Sequence, residues 1–287
     1  MSQIILSRHT YESCKEEFIA FRNANRDTIR DAAYFDWRYS GRPNERKPII
    51  IWAENGKGEK IGALSLIPHH YIIDNNVASV GLLGDISVAE EWRGKGVAQK
   101  MFRYLAETEA MRKLPVSLVL PNETASRSLE KADWRTISTL DRYVKFINID
   151  HGLRRMLKVD WLSRLVALFV NILLKLLSLE TYTRDSARFK GEIVDGFDER
   201  FDALWHEVKK DGMIIGLRNK RYLIWRYKEH PLLCYQIFTL TDNSKLCGYI
   251  VFHCLEDSCY VDDLFCFNTN KYGHILLTSF LRYARTI

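Results

Sequence analysis

Apolar and polar positions change period several times along the first half of the chain. Residues 3–7, QIILS, read as a short strand. Tyr11 to Asn25 has a helical repeat with Phe18 and Phe21 on its apolar side, and a second helical piece follows to about Arg38. FDWRYSGRP (35–43) ends that piece in a turn with Gly41 and Pro43. PIIIWAE (48–54) is a buried-type strand and ENGKGEK a hairpin turn. IGALSLIPHHYIID (61–74) is a long strand, interrupted at Pro68, and Asn75-Asn76 makes another hairpin turn. Gly81 to Arg112 then runs as a strand, LLGDISV, a charged turn, EEWRGKG, and a helix with Val97, Met101, Leu105 and Ala106 on one face. PVSLVLPN (115–122) is a fifth strand. NETASRSLEKADW (122–134) is a short helix with Asn122 as N-cap, and RTISTLDRYVKFINI (135–149) is a sixth strand. The succession β, αα, βββ, α, β, α, β predicts a mixed α/β sheet with the charged turn near its middle.

The second half echoes the first. FDWRYSGRP (35–43) is repeated as LIWRYKEHP (223–231), PIIIWAE as CYQIFTL, and IGALSLI as CGYIVFH. LGDISV (83–88) parallels DDLFCF (262–267), and a helix follows each, the second being KYGHILLTSFLRYAR (271–285). The second turn, FNTNKYGH, lacks the RGKG pattern, and the sequence stops before a further strand, helix and strand. Between the halves lies the most apolar stretch, WLSRLVALFVNILLKLLSLE (161–180). Its polar residues Arg164, Asn171, Lys175 and Ser178 fall on one narrow helix face. Two charges and an Asn argue against a bilayer span. A helix packed between domains or subunits, with a homodimer as one form, and a helix lying on a membrane surface beside Arg154, Arg155 and Lys158 both fit.

Composition narrows the class. The chain has 287 residues, 47% of them apolar, enough for two folded domains and too apolar for disorder. The net charge of +6 is spread along the chain. It suits an anionic ligand or an acidic membrane surface, and nucleic acid is not expected. None of the six cysteines forms a CxxC pair, so no metal site is expected. No secretory leader is visible, and the cysteines read as reduced thiols of a cytoplasmic protein, peripheral membrane contact aside.

The chemistry lies in the charged turn. The first amides of a helix have no partner inside it and, with the helix dipole, form an anion site. Gly94 and Gly96 let a diphosphate approach the backbone, and Arg93 and Lys95 add positive charge. Arg93-Gly94-Lys95-Gly96-Val97-Ala98 resembles the R/Q-x-x-G-x-G/A turn of the GNAT N-acetyltransferase superfamily. NETASRSLEKADW resembles that family's N-x-x-A-x-x-L-Y-x-K-x-G-F segment through Asn122, Ala125, Lys131 and Trp134. The resemblance covers residues 1–149, with a degenerate copy in 187–287. It implies an α/β protein of two tandem GNAT-like domains, each a mixed, mostly antiparallel sheet flanked by helices. Residues 1–149 form the acyl-CoA-binding domain, 150–186 a linker holding the apolar helix, and 187–287 an incomplete copy.

That resemblance also implies a donor and a reaction. Acetyl-CoA, or another acyl-CoA, places its pyrophosphate on the amides of Arg93, Gly94, Lys95, Gly96, Val97 and Ala98. The pantetheine pairs with main chain near Ser87, Val88 and Ala89, with Asn122 behind. A small-molecule or peptide amine then attacks the thioester directly, without a metal. Asp85 is a candidate base, with His70 and His69 as alternatives. The family's tyrosine acid falls at Leu129, which donates no proton, and its glycine at Asp133; Tyr143 or water is left as acid. Trp37 and Trp225 read as core, and Arg38 and Arg226 as partners of a carboxylate or of the acceptor. A non-catalytic acyl-CoA-binding or scaffold protein is the alternative reading, and an aminoacyl-tRNA-dependent transferase a weaker one.

Overall fold

A computed structural model describes residues 3–44, 46–108, 114, 116–149, 160–182, 188–208 and 212–287. The chain divides into two units. The first holds Met1–Thr139, Lys209–Leu217 and Glu229–Leu232, and the second Leu140–Val208, Arg218–Lys228 and Leu233–Ile287. The two short inserts of the first unit thus come from beyond residue 149.

In the first unit β1 (Ile4–Thr10) leads through a 3-10 turn, Tyr11–Ser13, into α1 (Lys15–Ala24) and α2 (Ala32–Tyr39). The Asp31 side chain caps α2 by accepting from the Tyr34 amide at 2.9 Å. Then come β2 (Ile49–Asn55), β3 (Lys60–Ile73), β4 (Asn76–Val88), α3 (Val97–Glu107), β5 (Ser117–Leu118) and α4 (Glu123–Glu130). The sheet order is β1-β2-β3-β4-β5, antiparallel except for the parallel β4–β5 pair. It is covered on both faces. Ile49, Ile51 and Ala53 meet Val97, Met101, Phe102 and Leu105 of α3. Ile50 and Trp52 meet Phe18 of α1 and Phe35 and Tyr39 of α2. A strand buried on both sides needs no polar alternation, which is why IIIWA is continuously apolar.

Several expectations change. On α3 it is Phe102 that is buried and Ala106 that faces water. The third strand runs unbroken through Pro68. Its pairing with β2 ends at Leu66, so the missing proline N–H interrupts no ladder, and the Pro68 carbonyl accepts from Arg42 and Asn44 instead. Beyond that gap β7 (Ile214–Gly216) takes the place of β2 along Tyr71–Ile73. The fifth strand has two residues, not eight. Residues 135–149 form no strand and leave Ile137, Leu140, Tyr143, Val144 and Phe146 exposed. Their β-branched and aromatic composition is strand-like, but no strand of the described residues pairs with them.

The second unit begins with α5 (Asp160–Leu176) and a 3-10 turn, Leu179–Thr181. Arg154, Arg155 and Lys158 lie outside the described residues. β6 (Phe189–Val194), α6 (Glu199–Glu207), a short helix Lys220–Leu223 running into a π-helical turn Ile224–Lys228, β8 (Gln236–Asp242), β9 (Lys245–Leu255), β10 (Ser258–Cys266) and α7 (His274–Ala284) follow. The sheet order β10-β9-β8-β6 is antiparallel throughout. Each unit therefore has a four-strand meander, helical elements between its first two main strands, and a helix after the fourth. Trp37 and Trp225 are both buried. The glycines shared by IGALSLI and CGYIVFH have one purpose. A Cβ on Gly62 would lie 2.9 Å from Val97 Cγ1 of α3, and one on Gly248 3.0 Å from Leu276 Cδ2 of α7. Each lets its helix seat on the sheet.

The cysteines need a correction. Cys254 and Cys259 face each other across the β9–β10 hairpin and form a disulfide. Strand register sets that pair, and spacing rules do not see it. Cys14, Cys247 and Cys266 are buried thiols and Cys234 is exposed. Protein purified without reductant is expected to titrate one fast thiol when native and four when denatured. A count of six in denaturant would rule out the disulfide.

Glu180 is the most deeply held carboxylate among the described residues of the second unit. Its side chain is 3% exposed and accepts from Lys145 at 2.7 Å and Arg285 at 2.9 Å. Burial favours its neutral form, but the Lys145, backbone and Arg285 hydrogen bonds outweigh it and hold the carboxyl down at about 2. A depressed carboxyl stabilises the fold above its unfolded value and loses that contribution as pH falls. Stability is expected to drop between pH about 4.5 and about 2. Glu180→Gln should flatten that acid limb in urea titrations, and an unaltered limb would contradict the assignment.

Candidate functional site

At the end of β4 the sheet opens. β4 pairs with β5 at Gly81 and Leu82 only, while β3 follows it to Val88. The outer edge from Leu83 to Val88 carries no strand among the described residues. Ala89 donates to Ile61 at 3.0 Å, and Ser87 stands opposite Ala63, so both turn their main chain toward β3. Val88 turns the other way, to the open edge. Of the three residues expected to pair with a ligand's main chain, Val88 alone is aimed to do so.

The turn that follows has an unusual backbone. Gly94 and Gly96 sit at φ +75° and +79°, where a side chain is strained. A Cβ on Gly94 would meet nothing within 4 Å, and one on Gly96 only the tip of Gln99 at 4.0 Å. The Lys95 amide donates to Trp92 and the Lys100 amide to Gly96. No acceptor for the amides of Gly94, Gly96, Val97 or Ala98 is found among the described residues. They cluster at the positive end of α3. The Arg93 side chain braces the turn rather than facing a ligand. Its Nε donates to the Val88 carbonyl at 3.2 Å and its Nη2 to the Asn25 carbonyl at 3.3 Å. The Lys95 ammonium lies 5.1 Å from the Trp92 ring.

Asp85 lies upstream, in a β-bulge where Ala63 pairs with Ser87 and Ser65 with Gly84. Its φ is +46°. The side chain is 9% exposed and is claimed by three groups: Tyr39 Oη at 2.8 Å, Arg38 Nε at 3.1 Å and Arg22 Nε at 3.5 Å. Burial and then the Asp85 charge hold the Tyr39 hydroxyl well above its ordinary range, so it stays a donor. Burial works against the Arg38 charge, and Asp85 outweighs it and raises that group further. Gly84 makes room, since a Cβ there would lie 2.8 Å from Arg38 Nη2. Arg38 thus bridges to a carboxylate, one of its two expected uses, and three side chains hold the Asp85 carboxylate in place. Tyr39 also lines a cavity of about 210 Å³ with Arg42, Arg46 and Lys47 against a single carboxylate, Glu12.

The other candidates scatter. His70 and His69 are half-buried on β3, opposite Ser79 and Val80, well before the bulge along the strand pair. The His70 carbonyl accepts from Leu217. Asn122 caps α4 by accepting from the Ala125 amide at 2.9 Å, a structural use of its side chain. Leu129 is buried and aliphatic. Asp133 adopts φ +65°, the conformation that explains a glycine at that position in the motif. Tyr143 is 91% exposed and belongs to the second unit. Arg22 was not anticipated; its helical position gave no sign that it reaches β4. Among the described residues no His, Cys, Asp and Glu group could hold a metal.

The first unit is thus a mixed α/β domain whose sheet opens beside a glycine turn at the start of a helix. Residues 12–137, within the first unit, match the family model of the acetyltransferase (GNAT) domain. Solved structures with this fold cover nearly all of the chain. A probable N-acyltransferase of unknown function from Enterococcus faecalis V583 aligns at TM-score 0.65 and 10% identity, over 100% of this chain and 63% of its own. A GCN5-related N-acetyltransferase from Anabaena variabilis aligns at 0.59 and 13% identity, over 99% and 63%. One from Kribbella flavida aligns at 0.54 and 14%, over 99% and 62%. The chain spans under two thirds of the length of these structures. No curated protein sequence matches it.

Asp85→Ala removes the acceptor of the Tyr39 hydroxyl and of half-buried Arg38 and leaves buried Arg22 without its ion-pair partner, and should destabilise the protein by about 3–5 kcal/mol. Gly84→Ala, which crowds Arg38, should cost about 1–3 kcal/mol. Gly56→Ala, where a Cβ meets nothing within 4 Å, is the control. Urea unfolding midpoints read all three; equal effects at Gly84 and Gly56 would contradict the tight packing at the bulge.

Proposed function

We propose that the first unit is an acyl-CoA-dependent N-acyltransferase, with acetyl-CoA as the default donor and an amine as acceptor. One observation carries this reading. Unengaged amides at Gly94, Gly96, Val97 and Ala98 stand at the start of α3, next to the open edge of β4. The turn binds the donor's pyrophosphate, and Val88 pairs with its pantetheine as an added strand would. That lays the thioester along β4 toward the bulge. The amine attacks the thioester carbon, the C–S bond breaks, and the thiolate leaves. Proximity supplies much of the rate.

Asp85 enters this reading as a positioning residue. Shared by Arg22, Arg38 and Tyr39, it fixes the bulge that shapes the β4 edge, and the amine gives its proton to water. His70 has no part in it. The cationic cavity beside Tyr39 favours acceptors that carry a phosphate or carboxylate, which belong first in a substrate panel. The second unit is read as a copy of the fold whose turn is closed. Asn268 caps it by accepting from the Lys271 amide at 3.1 Å, Gly273 stands at φ −59°, and Tyr272 is buried with its hydroxyl on Asp242.

Binding without turnover is the second reading, favoured by buried Leu129 in the acid's place. Calorimetry with CoA and acetyl-CoA tests the first step. Binding is expected, and Gly96→Glu, which strains a positive φ and puts a negative charge in the anion site, should weaken it by about a hundredfold or more. Unchanged binding in that variant would refute the site. Asp85→Asn separates positioning from base chemistry. It should raise the donor KM and lower the melting temperature while the pH profile of kcat keeps its shape; loss of the profile's acid limb would make Asp85 the base. Donor binding with no thiol release against any amine would select the second reading.

A further inference from the structure

Helix α5 is the most unusual surface of the chain. Leu165, Leu168, Phe169, Ile172, Leu173 and Leu176 recur at helical spacing on one face, and all are between 45% and 71% exposed. The opposite face is the packed one: Ala167 is 2% exposed, and Ser178 just beyond the helix is buried. The helix is thus seated on the side of Ala167 and half-buried Leu174 and turns six large apolar residues to water. Monomeric proteins rarely leave so continuous an apolar stripe uncovered.

The charges beside the stripe indicate what covers it. Arg164 and Lys175 are both exposed and, eleven residues apart, lie on one line along its edge. No acidic residue occurs between Arg164 and Ser178. Residues 140–149 run beside the polar side of the helix. Asn171 on α5 accepts from the Ile149 amide at 3.1 Å, and from that segment Tyr143, Val144 and Phe146 are 91%, 62% and 67% exposed. Aromatic and aliphatic groups interleaved with cations suit the headgroup layer of a bilayer. Among the described residues no helix is long and apolar enough to cross a membrane. A second copy fits less well. Antiparallel face-to-face pairing about Phe169 would bring Arg164 against Lys175 of the other copy.

We infer that α5 lies in the plane of an anionic lipid surface, its Leu165–Leu176 stripe in the acyl boundary and Arg164 and Lys175 at the headgroups. Co-sedimentation of the full chain with extruded vesicles tests it, using phosphatidylcholine with about 30% phosphatidylglycerol against phosphatidylcholine alone. Binding to the anionic vesicles is expected, weakened by about 0.5 M salt. Phe169→Glu should reduce it about tenfold or more with an unchanged circular dichroism melt, since that side chain is 71% exposed. Arg164→Ser with Lys175→Ser leaves the apolar stripe intact and should remove the preference for anionic vesicles. Failure to pellet with anionic vesicles, or full binding by Phe169→Glu, would overturn the inference. So would a dimer in sedimentation velocity that Phe169→Glu dissociates while vesicle binding is nil.

Discussion

A single carboxylate at a β-bulge ties three side chains of α1 and α2 to the fourth strand of the first unit. Burying Asp85 with Arg22 and Arg38 is expensive, because each charge leaves water. Apolar packing alone would not fix where the bulge falls. A carboxylate that must meet two guanidinium groups and a phenol can sit at one register only. That register decides which residues of β4 point outward beyond Gly84, and so which of them a ligand can pair with. The positive φ of Asp85, the glycine beside it and the raised Tyr39 hydroxyl are consequences of this demand.

The second unit meets the same demand in its own way. Asp263 lies at the bulge of β10, where Arg218 and Tyr249 reach it at 3.1 and 3.2 Å. Gly248 pairs with Cys266 as Gly62 pairs with Val88, so Asp263 answers to Asp85. This moves the sequence pairing of LGDISV with DDLFCF by one residue. The partners come from different places: Arg38 and Tyr39 from α2, but Tyr249 from within β9. A constraint has been kept while the residues that satisfy it have been exchanged.

What the sequence made legible follows from how local each signal is. The RGKG turn, the Asn122 cap and the hairpins are set by neighbours within a few positions, and they stand where the pattern put them. β5 and residues 135–149 share the composition of strands, but a strand exists only where a partner runs beside it. Arg22 could not be read because its partner is 63 positions away on another element. Asp85 drew attention as a possible base for its place on β4. Its φ and its three partners are tertiary facts, and the reading of Asp85 as an anchor proposed above rests on them.

The contrast between the two units lies in a handful of residues at the start of one helix. Both sheets seat that helix through a glycine on the third strand, so its dipole points the same way relative to the fourth. In the first unit two positive-φ glycines leave its leading amides bare. In the second, Asn268 caps the turn and Tyr272 fills the space beneath it. Scaffold and electrostatics are common to both. The anion site proposed for the first unit needs amides left without partners, and that condition is met beside Gly94 and Gly96 and not at Gly273.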